Sequence, residues 1–130
     1  MLRTFNSIIR PTLEFAAPTF HPMLTGELRD KLESVQKRAS KLVFGWGSSY
    51  DEIISNGKMK TLDSRREELT ANFARKAVKS ERFGSWFKEK IYDGINLRDS
   101  TRKKYEEKHA RTERLRRSPV YYMTRILNEK

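Results

Sequence analysis

The sequence predicts an all-α fold: a small helical bundle followed by a basic, partly exposed C-terminal arm and a short terminal helix. Apolar residues recur every three or four positions in several stretches, which is typical of one face of a helix. No stretch of useful length alternates apolar and polar residues as a strand does, and no internal repeat is present. The 130 residues are 36% hydrophobic and 35% charged, which suits one domain with a modest core and an ionic surface.

The first predicted helix covers residues 2–17, with its apolar side chains on one face. Pro11 lies inside this helix and has no backbone donor, so we expect a kink there or a break just before it. Pro18 and Pro22 then flank the aromatic Phe20, which predicts a rigid, extended connector.

The second predicted helix is the clearest in the chain. Thr25 is positioned as its N-cap, and Gly45 and Gly47 end it. Its apolar residues follow alternating steps of four and three and form a single seam, which is typically the buried side of a helix. The members of this seam are Leu28, Leu32, Val35, Ala39 and Leu42.

Further helices are predicted after residue 49. A short one covers residues 50–54 and is stopped by Asn56 and Gly57. A long one begins near residue 61 or 63 and ends near residue 80, or continues to residue 83. A fourth, amphipathic helix ends before Gly94, and its apolar residues are Phe83, Trp86, Phe87 and Ile91.

The composition changes after residue 97. Charged residues crowd together up to residue 117, which predicts an exposed arm or a solvent-facing helix. Ser118 and Pro119 are suited to the N-cap and first position of a last helix over residues 120–127. We therefore predict three parts: a helical domain over residues 1–94, a basic arm over residues 95–117 and a terminal helix over residues 118–130.

The net charge restricts the class of partner. Lys and Arg number 28 against 17 Asp and Glu, which gives a charge of +11 and a pI near 10.1. A chain this basic favours a polyanion, with nucleic acid first and an anionic membrane surface second, although excess charge often serves solubility alone. No signal peptide or run of 18 apolar residues is visible, so we expect a nuclear or cytoplasmic protein without a membrane span.

Catalytic and metal-binding patterns are missing from the sequence. Two-metal polymerase chemistry needs neighbouring carboxylates, and no two Asp residues are adjacent. The acids Asp51 and Glu52 are better interpreted as the start of a helix. Cysteine is absent, and the two histidines, His21 and His109, lie far apart. We therefore expect no cofactor, no metal and no enzymatic activity.

Basic residues at helical spacing are the feature of the sequence that suggests a function. Phosphate backbones need such cations, although charge runs on helices are often solvated faces that pair with local carboxylates. Taken together at a net charge of +11, they favour nucleic-acid binding. Of the adjacent Tyr121 and Tyr122 only one can face inward, and the other could stack on a base near Arg125. The candidate contacts are Lys37, Arg38, Lys41, Arg65, Arg66, Arg102, Lys103, Lys104, Arg116 and Arg117.

Four sequence blocks carry a resemblance to a known family. Residues 9–22 contain RP, LEFAAP and FHP, and residues 32–39 read LESVQKRA. A third block starts at Leu62 and includes RRE, and the fourth covers residues 114–128. Each is weak alone, but in this order they resemble the segment that follows the catalytic palm in non-LTR (LINE-like) retrotransposon reverse transcriptases.

The resemblance implies a helical thumb that closes over a template–primer duplex of RNA, DNA or an RNA–DNA hybrid. It implies backbone contacts first from Lys37, Arg38 and Lys41 and then from Arg65 and Arg66. Glu14 and Gln36 are also motif positions, which a buried polar network between the connector and the helix explains equally well. Because fingers, palm and metal-binding aspartates are absent from these residues, it implies a catalytically inactive fragment or remnant.

An alternative is a helical interaction module without a nucleic-acid role. In that case the seam of the second helix pairs with a reverse transcriptase palm domain or with a second copy of the chain. This alternative predicts a large exposed apolar patch on the isolated chain and a mass that depends on concentration.

Overall fold

The computed structural model describes residues 2–91 and 104–129, and most of these residues are helical. The predicted all-α fold is confirmed. Within these two ranges the strand-like feature is an isolated antiparallel bridge between Glu89 and Tyr105. The helices are α1 (residues 2–14), α2 (Ala17–Phe20), α3 (Gly26–Phe44), α4 (Tyr50–Ser55), α5 (Leu62–Val78), α6 (Glu113–Arg116) and α7 (Pro119–Asn128).

Helix α1 continues through Pro11 without breaking. A π-helical segment, Phe5–Ile9, lies directly before the α-helical segment Arg10–Glu14. Pro11 therefore occupies one of the first positions of the second segment, where a backbone donor is not required. The wider π-helical turn is the local distortion that accommodates the proline.

The connector after α1 is helical, so the prediction of an extended connector is wrong. Ala16 adopts a left-handed backbone conformation with φ of 54°, and α2 begins directly after it. A 3-10 turn, His21–Met23, follows α2. Pro18 and Pro22 lie at the second positions of these two turns, where a missing N–H breaks no hydrogen bond within the turn. Both turns pack against α5 and α7.

Helix α5 is the centre of the bundle, because α2, α3 and α7 all pack against it. It begins after Thr61, whose hydroxyl accepts a hydrogen bond from the Ser64 amide at 3.3 Å. Its buried side carries the small residues Thr70, Ala74 and Ala77, which allow neighbouring helices to approach closely.

Two apolar clusters form the core. One joins α5, α7 and the chain between them, and its buried members are Ala74, Ala77, Phe87, Tyr105 and Met123. The other joins α1, α3 and α4 with the loop before α5, and its buried members are Phe5, Ala39, Ile53 and Met59. Both clusters are small, so polar contacts between helices contribute visibly to the packing.

Both predicted ends of α3 are confirmed. The Thr25 hydroxyl accepts a hydrogen bond from the Leu28 amide at 3.4 Å. At the other end, Gly45 has a φ of 97°, which favours glycine, and its amide donates to the Lys41 carbonyl at 3.0 Å.

The buried side of α3 coincides only in part with the apolar seam. Only Ala39 is buried and Leu32 is half-buried, whereas Gln36 and Ser40 are buried in place of the other members. Both side chains donate hydrogen bonds, which offsets much of the cost of burying them, although the buried Gln36 Oε1 has no hydrogen-bond partner among the described residues. The seam residues that stay exposed, with the exposed fraction of each, are Leu28 (46%), Val35 (44%) and Leu42 (59%).

The prediction of a fourth helix around residues 83–91 is wrong. The chain forms a 3-10 turn, Gly84–Trp86, and then runs to the bridge between Glu89 and Tyr105. Gly84 lies so close to the end of α5 that a Cβ atom there would be 3.1 Å from the Val78 carbonyl oxygen. This close approach turns the chain back over α5 and prevents a new helix from starting.

The described part of the predicted arm, residues 104–117, is mostly exposed. Tyr105 is the exception, since it is buried beside Phe87 and its backbone forms hydrogen bonds with the Asn128 side chain on α7. Helix α7 begins at Pro119, as predicted, and Met123 joins the core. Residues 95–103 of the arm lie outside the described residues, and the division into three parts stays a prediction.

Candidate nucleic-acid interface

The cations predicted on the second helix lie in the C-terminal half of α3. Lys37, Arg38 and Lys41 are all exposed, and none of them forms an ion pair with a described residue. Arg38 lies two residues from both Gln36 and Ser40, which places it on the side of α3 opposite the packed side. These three side chains, which we call the α3 cations, are therefore accessible to an anionic partner.

The three α3 cations do not have equal surroundings. The Lys37 ammonium lies 5.4 Å from the ring centre of Tyr50. It also borders a groove lined by the acidic side chains Asp30, Glu33 and Asp51, which would repel a phosphate. Arg38 and Lys41 do not border this groove, so they are more accessible to a phosphate than Lys37 is.

Arg65 is engaged by a carboxylate inside the protein. Its Nε and Nη2 atoms donate to the two Glu14 oxygens at 3.1 and 3.3 Å, which is a bidentate pair between α5 and α1. Glu14 is 10% exposed and Arg65 is 33% exposed at the side chain. The hydrogen bond that Arg65 donates to Glu14 raises the pKa of Arg65, so the guanidinium stays charged. Its first role in this fold is to hold α1 against α5.

Arg66 cannot reach a duplex, and its prediction as a backbone contact is corrected. Its side chain is fully buried and its Nη2 lies 3.3 Å from the Asp63 carboxylate. The same carboxylate lies 3.6 Å from Arg29 and 3.9 Å from His21. Burial is the main cause that lowers the pKa of His21 from 6.5, with Arg29 and Arg66 acting in the same direction against Asp63.

Of three neighbouring cations predicted as contacts at the start of the arm, the structure describes one. Lys104 is exposed and pairs with Glu89 at 3.3 Å across the isolated bridge. The hydrogen bond to Glu89 is the main cause that raises the pKa of Lys104, which therefore remains a cation. Arg102 and Lys103 lie outside the described residues.

Arg116 and Arg117 are brought together with two arginines that the sequence did not single out as contacts. They border an open cleft of about 330 Å³ with Arg29 from α3 and Arg125 from α7. Tyr122 also borders this cleft, and the Arg125 guanidinium lies 5.6 Å from its ring centre. The spacing of Arg29 and Arg125 does not indicate that they border one cleft, because the two residues lie in helices that are far apart in the sequence.

The motif residues Glu33 and Gln36 belong to a polar network between α3, α4 and the start of α5. The Gln36 Nε2 donates to the Tyr50 hydroxyl and to the Lys60 carbonyl, each at 2.9 Å. The Tyr50 hydroxyl donates to Glu33, whose carboxylate also accepts from the Leu62 amide at 3.1 Å. Burial and the bond to Glu33 raise the pKa of Tyr50, so its hydroxyl stays protonated. Gln36 is thus a network residue, although the network joins α3 to α4 and to the start of α5 rather than to the predicted connector.

The described residues contain no group of three or more His, Asp or Glu side chains that could hold a metal ion. Asp51 and Glu52 lie in the first turn of α4, as expected for acids at a helix start. His21 is buried beside Tyr122, and His109 is exposed. The exposed cations described above are chemically suited to an anionic partner.

Comparisons of the chain with protein-family models, with curated proteins and with solved structures find no match. The interface is consequently defined by charge, exposure and geometry alone. In the part of the chain that the structure describes, no helix is long and apolar enough to cross a membrane.

Proposed function

We propose that this chain binds the phosphate backbone of a nucleic-acid duplex and carries out no chemistry of its own. The observation that carries the proposal is the set of α3 cations, which are exposed and form no ion pair with a described residue. A helix that presents unneutralised cations in a chain of net charge +11 gains free energy by releasing the counterions of a phosphate backbone. Such contacts carry little sequence preference.

We further propose that the duplex is a template–primer of RNA, DNA or an RNA–DNA hybrid. The support for this is the resemblance of the four sequence blocks to the post-palm segment of non-LTR retrotransposon reverse transcriptases. In this proposal the chain is a thumb-like piece of such a polymerase, with the catalytic residues elsewhere, and it works in the nucleus or cytoplasm. The buried motif residues Gln36 and Glu14 then preserve the thumb fold, while the α3 cations carry the contacts.

The test replaces the three α3 cations, Lys37, Arg38 and Lys41, with alanine in one variant. Binding to a labelled RNA–DNA hybrid should weaken, and the log–log salt slope should fall by about 0.9 for each phosphate that the variant no longer neutralises. A matched control removes three exposed cations from the end of α5, namely Arg75, Lys76 and Lys79, and so has the same net charge. Equal weakening in both variants would show that total charge, and not the α3 surface, determines binding.

A second candidate function is supported by the exposed seam residues of α3. Leu28, Val35 and Leu42 recur every seven residues, so they form one stripe along the helix, and each exposes over two fifths of its surface. An unpartnered stripe of this kind marks a surface for another helix. We propose that it pairs with a second copy of the chain or with a polymerase palm domain.

Self-association through this stripe is tested by sedimentation over a range of protein concentrations. The wild-type chain should show a mass that rises with concentration, and a variant with Val35→Glu and Leu42→Glu should remain monomeric. Ser64→Glu with Asn72→Glu, both at exposed positions of α5, is the control that adds the same two negative charges. A monomeric wild-type chain at every concentration would exclude self-association and leave only a different partner for the stripe.

A further inference from the structure

The arginine cleft stands apart from the α3 cations. Arg29 and Arg38 are nine residues apart on α3, which is two and a half helical turns and places them on opposite sides of the helix. The cleft opens where the start of α3 faces α6 and α7, and four guanidinium groups border it. Their convergence differs from a row of cations that follows a phosphate backbone.

The carboxylates around the cleft do not neutralise these arginines. Glu113 is shared by Arg116 and Arg117, at 3.5 and 2.9 Å. Glu129 lies 3.9 Å from Arg125. Asp63 serves both Arg29 and the buried Arg66. Within ion-pair distance, the four arginines of the cleft therefore meet three carboxylates, and one of these, Asp63, is shared with the buried Arg66, so a formal excess of positive charge remains among the described residues.

This excess of positive charge suits a phosphate monoester, which carries about −1.5 to −2 at pH 7 and offers three terminal oxygens. Arginine forks suit this group because they donate two parallel hydrogen bonds to phosphate oxygens. A volume of about 330 Å³ is larger than the phosphate needs and leaves room for the sugar attached to it. Tyr122 also lines the cleft, and burial, assisted by the charge of Glu67, raises the pKa of its hydroxyl.

We infer that the cleft bordered by Arg29, Arg116, Arg117 and Arg125 binds the terminal phosphate monoester of a nucleic-acid strand. The inference rests on the proposed function, because it assigns the end of the bound strand to this cleft and the strand's backbone to the α3 cations. Within the cleft, Glu113 competes with the phosphate for Arg116 and Arg117. Removing its charge should therefore strengthen phosphate binding, whereas removing either arginine should weaken it.

The experiment compares two RNA–DNA hybrids that differ only in a 5′-phosphate or a 5′-hydroxyl on one strand. The wild-type chain should bind the phosphorylated hybrid about tenfold more tightly, as expected for charge-assisted hydrogen bonds to one group. The variant Arg116→Ala with Arg117→Ala should lose this preference, and Glu113→Gln should increase it. Circular dichroism checks that each variant keeps its helices. The triple variant of the α3 cations should bind both hybrids more weakly and keep the preference.

Equal affinity of the wild-type chain for the two hybrids would overturn the cleft assignment and leave the proposed function standing. Absence of binding to either hybrid at low salt would overturn the proposed function. In that case, a titration with uridine 5′-monophosphate, followed by amide chemical shifts, tests whether the cleft binds a phosphate monoester. Uridine, which lacks the phosphate, is the control. Chemical-shift changes at Gly26 and Arg117 with uridine 5′-monophosphate but not with uridine would support the assignment of the cleft. No shift, or equal shifts with inorganic phosphate, would overturn the assignment to a nucleic-acid end.

Discussion

Replacing Gln36 with alanine should lower the free energy of unfolding by about 3 kcal/mol and leave duplex binding by the folded chain unchanged. Gln36 is fully buried between α3, α4 and the start of α5. Its motif position in the second block therefore has a structural explanation, and the substitution distinguishes that explanation from a direct contact with nucleic acid.

The magnitude comes from three contributions at this position. Two hydrogen bonds from the Gln36 amide, to the Tyr50 hydroxyl and the Lys60 carbonyl, contribute about 1 kcal/mol each. Removal of the buried methylene adds about 0.8 kcal/mol. Two further effects oppose each other. The Lys60 carbonyl loses its side-chain donor, which adds to the loss, while removal of the Gln36 Oε1, which accepts no hydrogen bond from a described residue, reduces it.

Thermal and urea unfolding, followed by circular dichroism, measure the effect, and a midpoint about 10 °C lower is expected. Arg38→Ala is the control on the same helix, and as an exposed substitution it should stay within about 0.5 kcal/mol of the wild type. An unchanged midpoint for Gln36→Ala, together with loss of duplex binding, would refute the network and make Gln36 a contact residue.

Two further predictions concern buried charged groups. Arg65→Ala leaves the Glu14 carboxylate, which is 10% exposed, without its bidentate partner and should cost about 2 kcal/mol in urea unfolding. An equal loss in Arg65→Lys would show that the fork geometry is essential, whereas wild-type stability in Arg65→Lys would show that the positive charge alone is sufficient. The lowered pKa of His21 means that below pH 6.5 the unfolded chain takes up a proton that the folded chain does not. Stability should therefore be complete above pH 6.5 and fall, by up to about 1.4 kcal/mol per pH unit, as the pH drops toward the lowered pKa. Urea unfolding between pH 7.5 and 5 should show a flatter profile for His21→Gln, and an identical profile would exclude His21 as the cause.

Local signals predicted several elements correctly. Thr25 and Gly45 mark the ends of α3, and Pro119 marks the start of α7, because capping depends on residues close in sequence. Long-range contacts account for the errors. The helix expected around residue 86 does not form because Gly84 is held against the end of α5. No pattern in the local sequence predicts that Gly84 lies so close to α5.

The buried side of α3 illustrates the same limit. Hydrophobicity favours Val35 over Gln36 for the interior, yet Gln36 is buried because Tyr50 and Lys60 supply partners from other parts of the chain. For the interface, exposure of Lys37, Arg38 and Lys41 agrees with their positions off the apolar seam. Arg66 and the arginine cleft depend on packing between helices, so the charge pattern alone could not separate a buried cation from an accessible one.

The most direct test of the proposed function is a titration of the purified chain with a labelled RNA–DNA hybrid at two salt concentrations. We expect binding that weakens steeply as salt rises. When alanine replaces the α3 cations, the slope should fall by about 0.9 for each phosphate left unneutralised. No binding at low salt, from a chain that is helical by circular dichroism, would contradict the proposal. The exposed stripe of α3 would then be the better candidate for the functional surface of the chain.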